Sequence, residues 1–217
     1  MTKNFARFPA LLLLTAVSVF AQAPKLESIG PFASSAASEA LKKALEPKGS
    51  RVLLSDGNVL CEIWISSSVS TGKNEAQGAG YTWLAESTFV GVITFPKAAI
   101  DFRKQGIPAG TYTLRAALNP VDGNHLGISP IRDFLLLTPI ALDADPTVKY
   151  KVEELTAMSK KTTGSNHPSP LSLVMPDGIE RWPSVIEDEN RLVFAAKVKT
   201  GSAESPIAFV VKGVAEQ

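Results

Sequence analysis

The chain has 217 residues, with 22 basic against 21 acidic side chains, two histidines and a single cysteine. A near-neutral balance without a basic run leaves no electrostatic footprint for nucleic acid or an anionic membrane surface, so neither is expected as a partner. One cysteine excludes a disulfide within the chain, and a domain of this length can stand on its hydrophobic core without one.

The N-terminus is laid out as a secretory signal peptide. Lys3 and Arg7 give a positive start, Phe8 to Phe20 is an apolar run, and small residues follow. The run is shorter than the ~20 residues a permanent membrane helix needs, so no span is expected in the mature chain. Cleavage after Ala21 is favoured over cleavage after Ala23, which would place the ring-locked Pro24 beside the cut. No cysteine follows the run to carry a lipid. The expectation is an exported protein, periplasmic or extracellular, in which residues 1–21 are removed and 22–217 form one domain. Removing Lys3 and Arg7 leaves one more acidic than basic side chain.

Downstream, the spacing predicts a helix over Ser35 to Glu46, with Ala37, Ala40, Leu41, Ala44 and Leu45 at helical intervals and Pro47 and Gly49 ending it. Strand patterns then dominate. Arg51 to Ser55 and Val59 to Ser66 read as a hairpin across Asp56-Gly57-Asn58, with Val59, Cys61, Ile63 and Ile65 on one face. Within that run Cys61 reads as a small buried residue rather than a nucleophile. The polar stretch Ser66 to Gly80 is long enough to be either mobile or used for something.

Further strands are expected at Thr88 to Phe95, Gly110 to Leu118, Ile131 to Thr138 and Leu171 to Met175. Arg191 to Lys199 and Pro206 to Val214 are expected to close the chain as a hairpin. Glu187-Asp188-Glu189 reads as a solvated turn. A second helix is expected from the cap pair Asp145-Pro146 through Val148, Val152, Leu155 and Met158 to Gly164. The pattern describes a mainly β protein, a β-sandwich of about eight antiparallel strands with two short helices.

Motifs for catalysis are sparse. There is no G-x-S-x-G elbow, phosphate loop, H-E-x-x-H or paired-cysteine zinc site. The link from Asn119 to Asp133 carries Asp122, Asn124, His125, Arg132 and Asp133, and a second loop, Ser165 to Pro168, carries His167. If these loops meet, two imidazoles and a carboxylate suit a metal, and Arg132 suits an anion. In the competing structural reading, Asp122-Gly123 makes a turn, His125 caps carbonyls and Arg132 pairs with an acid. Trp83 and Trp182, with Tyr81, raise a sugar-binding face, while Trp64 inside a strand reads as packing.

Several runs carry a resemblance. They are Ala40 to Gly49, Leu60-Cys-Glu-Ile-Trp64, Ile107-Pro-Ala-Gly-Thr-Tyr-Thr-Leu114, His125-Leu-Gly-Ile-Ser-Pro130 and Arg132-Asp-Phe-Leu-Leu-Leu137. Together the chain resembles a family of uncharacterised exported bacterial proteins over most of its mature length. That resemblance implies export and a β-rich fold, and no activity. The resulting expectation is a non-enzymatic binding or interaction domain with no cofactor. Its partner would be a small molecule, a glycan or an envelope protein, and its candidate binding residues are His125, Arg132, Asp133 and His167. The alternatives are a metal-binding protein or hydrolase using the 119–133 loop with His167, and a structural envelope-associated protein.

Overall fold

The computed structural model describes residues 23–121, 131–188 and 190–214. The expected leader therefore lies outside the described residues. In chain order the elements are β1 (Lys25–Ile29), α1 (Glu39–Ala44), β2 (Gly49–Leu53), β3 (Val59–Ile65), β4 (Phe89–Phe95), β5 (Ala99–Ile100), β6 (Gly106–Ile107), β7 (Gly110–Leu118) and β8 (Asp133–Pro139). After a 3-10 turn at Ile140–Leu142 come α2 (Val152–Thr163), β9 (Pro170–Val174), β10 (Ser184–Asp188), β11 (Arg191–Thr200) and β12 (Ala203–Lys212).

Ten strands form one antiparallel sheet in the order β1-β2-β3-β4-β7-β8-β9-β12-β11-β10, and β5 and β6 make a separate ribbon. The last four strands in that order form a Greek key, because β12 returns beside β9 after the β10-β11-β12 meander. The sheet curls until its two end strands approach each other, but no ladder joins β1 to β10 among the described residues. The protein is mainly β, as the alternation implies, and its form lies between a sandwich and a barrel. Among the described residues, no helix is long and apolar enough to cross a membrane.

Period-two alternation fills the inside. Cys61, Ile63 and Ile65 of β3, Tyr112, Leu114 and Ala116 of β7, Leu135 and Leu137 of β8, Phe194 and Ala196 of β11, and Ile207 and Phe209 of β12 share one core. Each fully buried aliphatic or aromatic side chain there is worth roughly 1.5–3 kcal/mol. Parts of the outer face are covered as well. Phe32, Leu41 and Leu45 cover Trp64 and Val92, and Leu155 of α2 covers Ala117, Phe134 and Leu136. A strand buried on both faces shows a continuous apolar run, as Phe134 to Leu137 does.

Four local expectations are corrected. The first helix is only Glu39–Ala44, because Ser38 caps it by accepting the Leu41 N–H at 3.1 Å, and Leu45 is already extended and bridged to Ser66. The second helix starts at Val152, because Asp145 closes a local turn onto Thr147 (2.8 Å to its N–H) instead of capping a helix. Glu187 and Asp188 belong to β10, paired with Leu192 and Arg191. In the β2–β3 turn only Gly57 takes a positive φ (80°), and Asp56 instead accepts the Asn58 N–H at 2.9 Å.

One charge is sealed on the outer face of β7. The Arg115 and Asp143 side chains are both fully buried, with Nε to Oδ2 at 2.7 Å and Nη2 to Oδ1 at 2.7 Å. Nη1 donates to the carbonyls of Ser87 and Val148, and Nη2 to that of Asp145, each at 2.8 Å. A guanidinium has five N–H groups, and each has an acceptor here. The Tyr150 ring lies 4.8 Å from the guanidinium carbon, and Thr113 donates to Asp143 at 2.6 Å.

Two outcomes are expected. Arg115→Met should cost about 3–5 kcal/mol in urea denaturation by stranding a buried carboxylate, and the Arg115→Met/Asp143→Leu double variant should lose less than the two single losses combined. Burial pushes the Cys61 thiol well above its ordinary value, so a disulfide reagent should leave it unlabelled in the native protein and label it on unfolding.

Candidate functional site

Three of the four expected binding residues can be placed. His125, with Asp122 and Asn124, lies outside the described residues. Arg132 clamps the neck of its own loop, with Nε and Nη2 donating to the Asn119 carbonyl at 2.8 and 2.5 Å and Nη1 to that of Gln77 at 2.8 Å. Backbone bonds from Asn119 N–H to Arg132 and from Arg132 N–H to Gly78 close the same neck. Asp133 is buried at the start of β8 and accepts the Gly80 N–H at 2.7 Å and the Asn74 side-chain amide at 3.4 Å. It therefore ties down the polar 66–80 stretch.

His167 belongs elsewhere. Along β8, Asp133 shares a face with Leu135 and Leu137 of the inner core, while Phe134 and Leu136 point outward. His167 lines a cleft together with Phe134 and Leu136. Strand alternation thus puts Asp133 and His167 on opposite sides of the sheet, and the structure does not bring them together. What does meet is the start of one predicted loop, Asn119-Pro120, and the other loop, Asn166 to Pro168, in the walls of this one cleft.

The cleft, of about 250 Å³, is assembled from several elements. Ala117, Phe134 and Leu136, with Ser172 of β9 beside them, form its sheet wall. Helix α2 is pinned to the sheet by Leu155, by Ser159, whose hydroxyl accepts the Ser169 N–H at 3.0 Å, and by Thr162, which donates to the Leu137 carbonyl at 2.9 Å. Four-residue steps then place Val152, Thr156 and Lys160 along the neighbouring stripe, and these line the cleft.

The remaining wall, Phe102 and Arg103, sits in the turn between β5 and β6. A carboxylate builds that turn. Asp101, fully buried, accepts the N–H groups of Arg103 (2.9 Å) and Gln105 (2.8 Å) and the Gln105 side-chain amide (2.8 Å). Gln105 in turn reaches the Pro168 carbonyl at 3.0 Å and the Ser165 hydroxyl, joining the two walls. Burial raises the Asp101 carboxyl above its ordinary range, against the opposing pull of the Gln105 and Arg103 amides.

The charge of the cleft is one-sided. Arg103, Lys160 and His167 line it, no acidic side chain does so among the described residues, and none of the three forms an ion pair with a described residue. A larger groove of about 760 Å³ runs along the seam between β1–β3 and β11, over Ile63, Ile65, Phe194 and Ala196. Its rim charges are mostly satisfied already, by Glu46–Lys199 at 2.9 Å, Glu27–Arg51 at 3.8 Å and Lys197–Glu204 at 3.9 Å. We therefore take the cleft under α2 as the candidate site.

The tryptophans do not share a face. Trp64 is buried and donates to the Gly30 carbonyl at 2.9 Å, half-buried Trp83 packs edge-on against Tyr81, and half-buried Trp182 lines the seam groove. Among the described residues there is no group of three or more His, Cys, Asp or Glu side chains that could hold a metal ion. Comparison with family models, with curated proteins and with solved structures gives no match to this chain.

Burial likewise raises the Asp133 carboxyl above its ordinary 3.8. A carboxyl raised in the fold stabilises fully below its unfolded value, and that contribution fades as pH rises through the raised value. Relative to wild type, Asp133→Asn should therefore gain in urea-melt stability as pH rises from below 3.8 through the raised value, whatever its absolute stability.

Proposed function

We propose that the protein is a non-enzymatic binding domain acting outside the cytoplasm, and that it takes a small ligand with an apolar body in the cleft under α2. The leader-like first 21 residues support export. The observation that carries the binding reading is the unfilled space of about 250 Å³ against Ala117, Phe134 and Leu136. It sits close to the lower end of the ~300–1,000 Å³ range of small-molecule sites, which combine apolar walls with a few polar groups.

The walls are held before any ligand arrives. Asp101 and Gln105 fasten the 101–105 turn to the 165–168 loop, Arg132 fixes Asn119, and Ser159 and Thr162 fix the helix. Such preorganisation lowers the entropic cost of binding.

A small neutral apolar fluorescent dye, naphthalene, should bind saturably at one site, and Thr156→Trp, which fills the cleft, should abolish that binding. Ser28→Trp, in the seam groove, should leave it unchanged. Loss of dye binding in Ser28→Trp with retention in Thr156→Trp would move the site to the seam and overturn the proposal. No saturable binding to the wild type would overturn it too.

A further inference from the structure

We infer that the ligand of this cleft is a small amphipathic anion, a monocarboxylate with a compact apolar body. This rests on the binding reading above and adds the chemistry of the ligand. The volume of about 250 Å³, near the lower end of the ~300–1,000 Å³ of small-molecule sites, favours a small ligand. A medium-chain acyl group or a single-ring aromatic acid is of this small class.

The charge follows from the lining. Arg103 comes from the β5–β6 turn, Lys160 from the last turns of α2 and His167 from the loop after it, so three separate segments contribute nitrogen-bearing residues to one lining. Among the described residues no acid lines the cleft beside them, and a bound carboxylate would supply a countercharge. Asn119, Thr156 and Asn166 add polar groups to the same lining. The sheet wall is apolar at Ala117, Phe134 and Leu136, with Ser172 of β9 beside them, so the apolar end of the ligand lies against those three and the carboxylate lies toward Arg103, Lys160 and His167.

Alternation and helical spacing explain why these groups share one opening. Lys160 lies two four-residue steps from Val152, on the stripe that faces the cleft, whereas the adjacent Lys161 is exposed and does not line it. Arg103 is directed by the Asp101 turn, whose carboxylate is occupied by backbone amides and by Gln105, which leaves the guanidinium free of it.

Isothermal titration with octanoate and octan-1-ol tests the inference. Octanoate should bind on the order of ten-fold more tightly than the alcohol, by the sum of a few rim contacts of modest size. Arg103→Glu/Lys160→Glu should remove that preference by weakening octanoate more than octan-1-ol, and Lys161→Glu, outside the cleft, should leave the preference unchanged. Added salt should weaken octanoate and not the alcohol. Equal affinity for the two probes, or an octanoate affinity indifferent to the double reversal, would overturn the anion inference while the dye still bound. Failure of dye, alcohol and octanoate together would instead overturn the binding reading beneath it.

Discussion

A guanidinium buried on the outside of a sheet sets the layout of this protein. Arg115 projects from β7 on the face opposite Leu114 and Ala116, where nothing in the strand itself accepts its protons. Five acceptors are supplied by wrapping the 143–148 segment and Ser87 around it. Removing a charge from water costs several kcal/mol, so this wrapping has one arrangement and few near substitutes. It fixes where the chain leaves the sheet after β8, and it delays the start of α2 until Lys151. The helix then lies over Phe134 and Leu136, leaving the cleft along its open flank.

The same device recurs at smaller scale. Asp101 and Asp133 are carboxylates taken out of water and surrounded by backbone amides, each organising a loop where the sheet ends. Apolar alternation makes the inside of the sheet, and buried polar nodes place what is attached to it. Ser159 and Thr162, polar residues on the sheet-facing side of α2, belong to this second group, because each makes a bond that sets how the helix sits.

The legible part of the sequence is the part governed by period-two burial. Strands β3, β7, β11 and β12 show it plainly, and Cys61 and Trp64 have the surroundings that their positions in β3 imply. Strands β1 and β10 escape because Lys-Leu-Glu-Ser-Ile and Ser-Val-Ile-Glu-Asp carry too few apolar residues to announce a strand at the edge of a sheet. The cleft was only half visible. His167 and the Asn119 loop are chemistry-bearing segments in the sequence, but Phe102, Arg103 and Lys160 join them through tertiary packing that no local pattern encodes. Arg115 did leave a signal, the lone charge in its strand, and so did Asp101, an acid opening the short turn to Gly106. Arg132 and Asp133 were singled out for their chemistry, and their described contacts are with backbone and loop groups.

A ring that stops short of closing behaves differently from one that closes. Strand β10 is zipped to a neighbour on one side only, and β1 likewise. Either can therefore peel outward by giving up a single ladder, whereas β7 or β8 must surrender two. Amide protons along the two end strands accordingly exchange through small openings, while those near Arg115 wait for the whole domain to come apart. Rigidity is graded around the circumference, greatest beside the helix and least diametrically away from it.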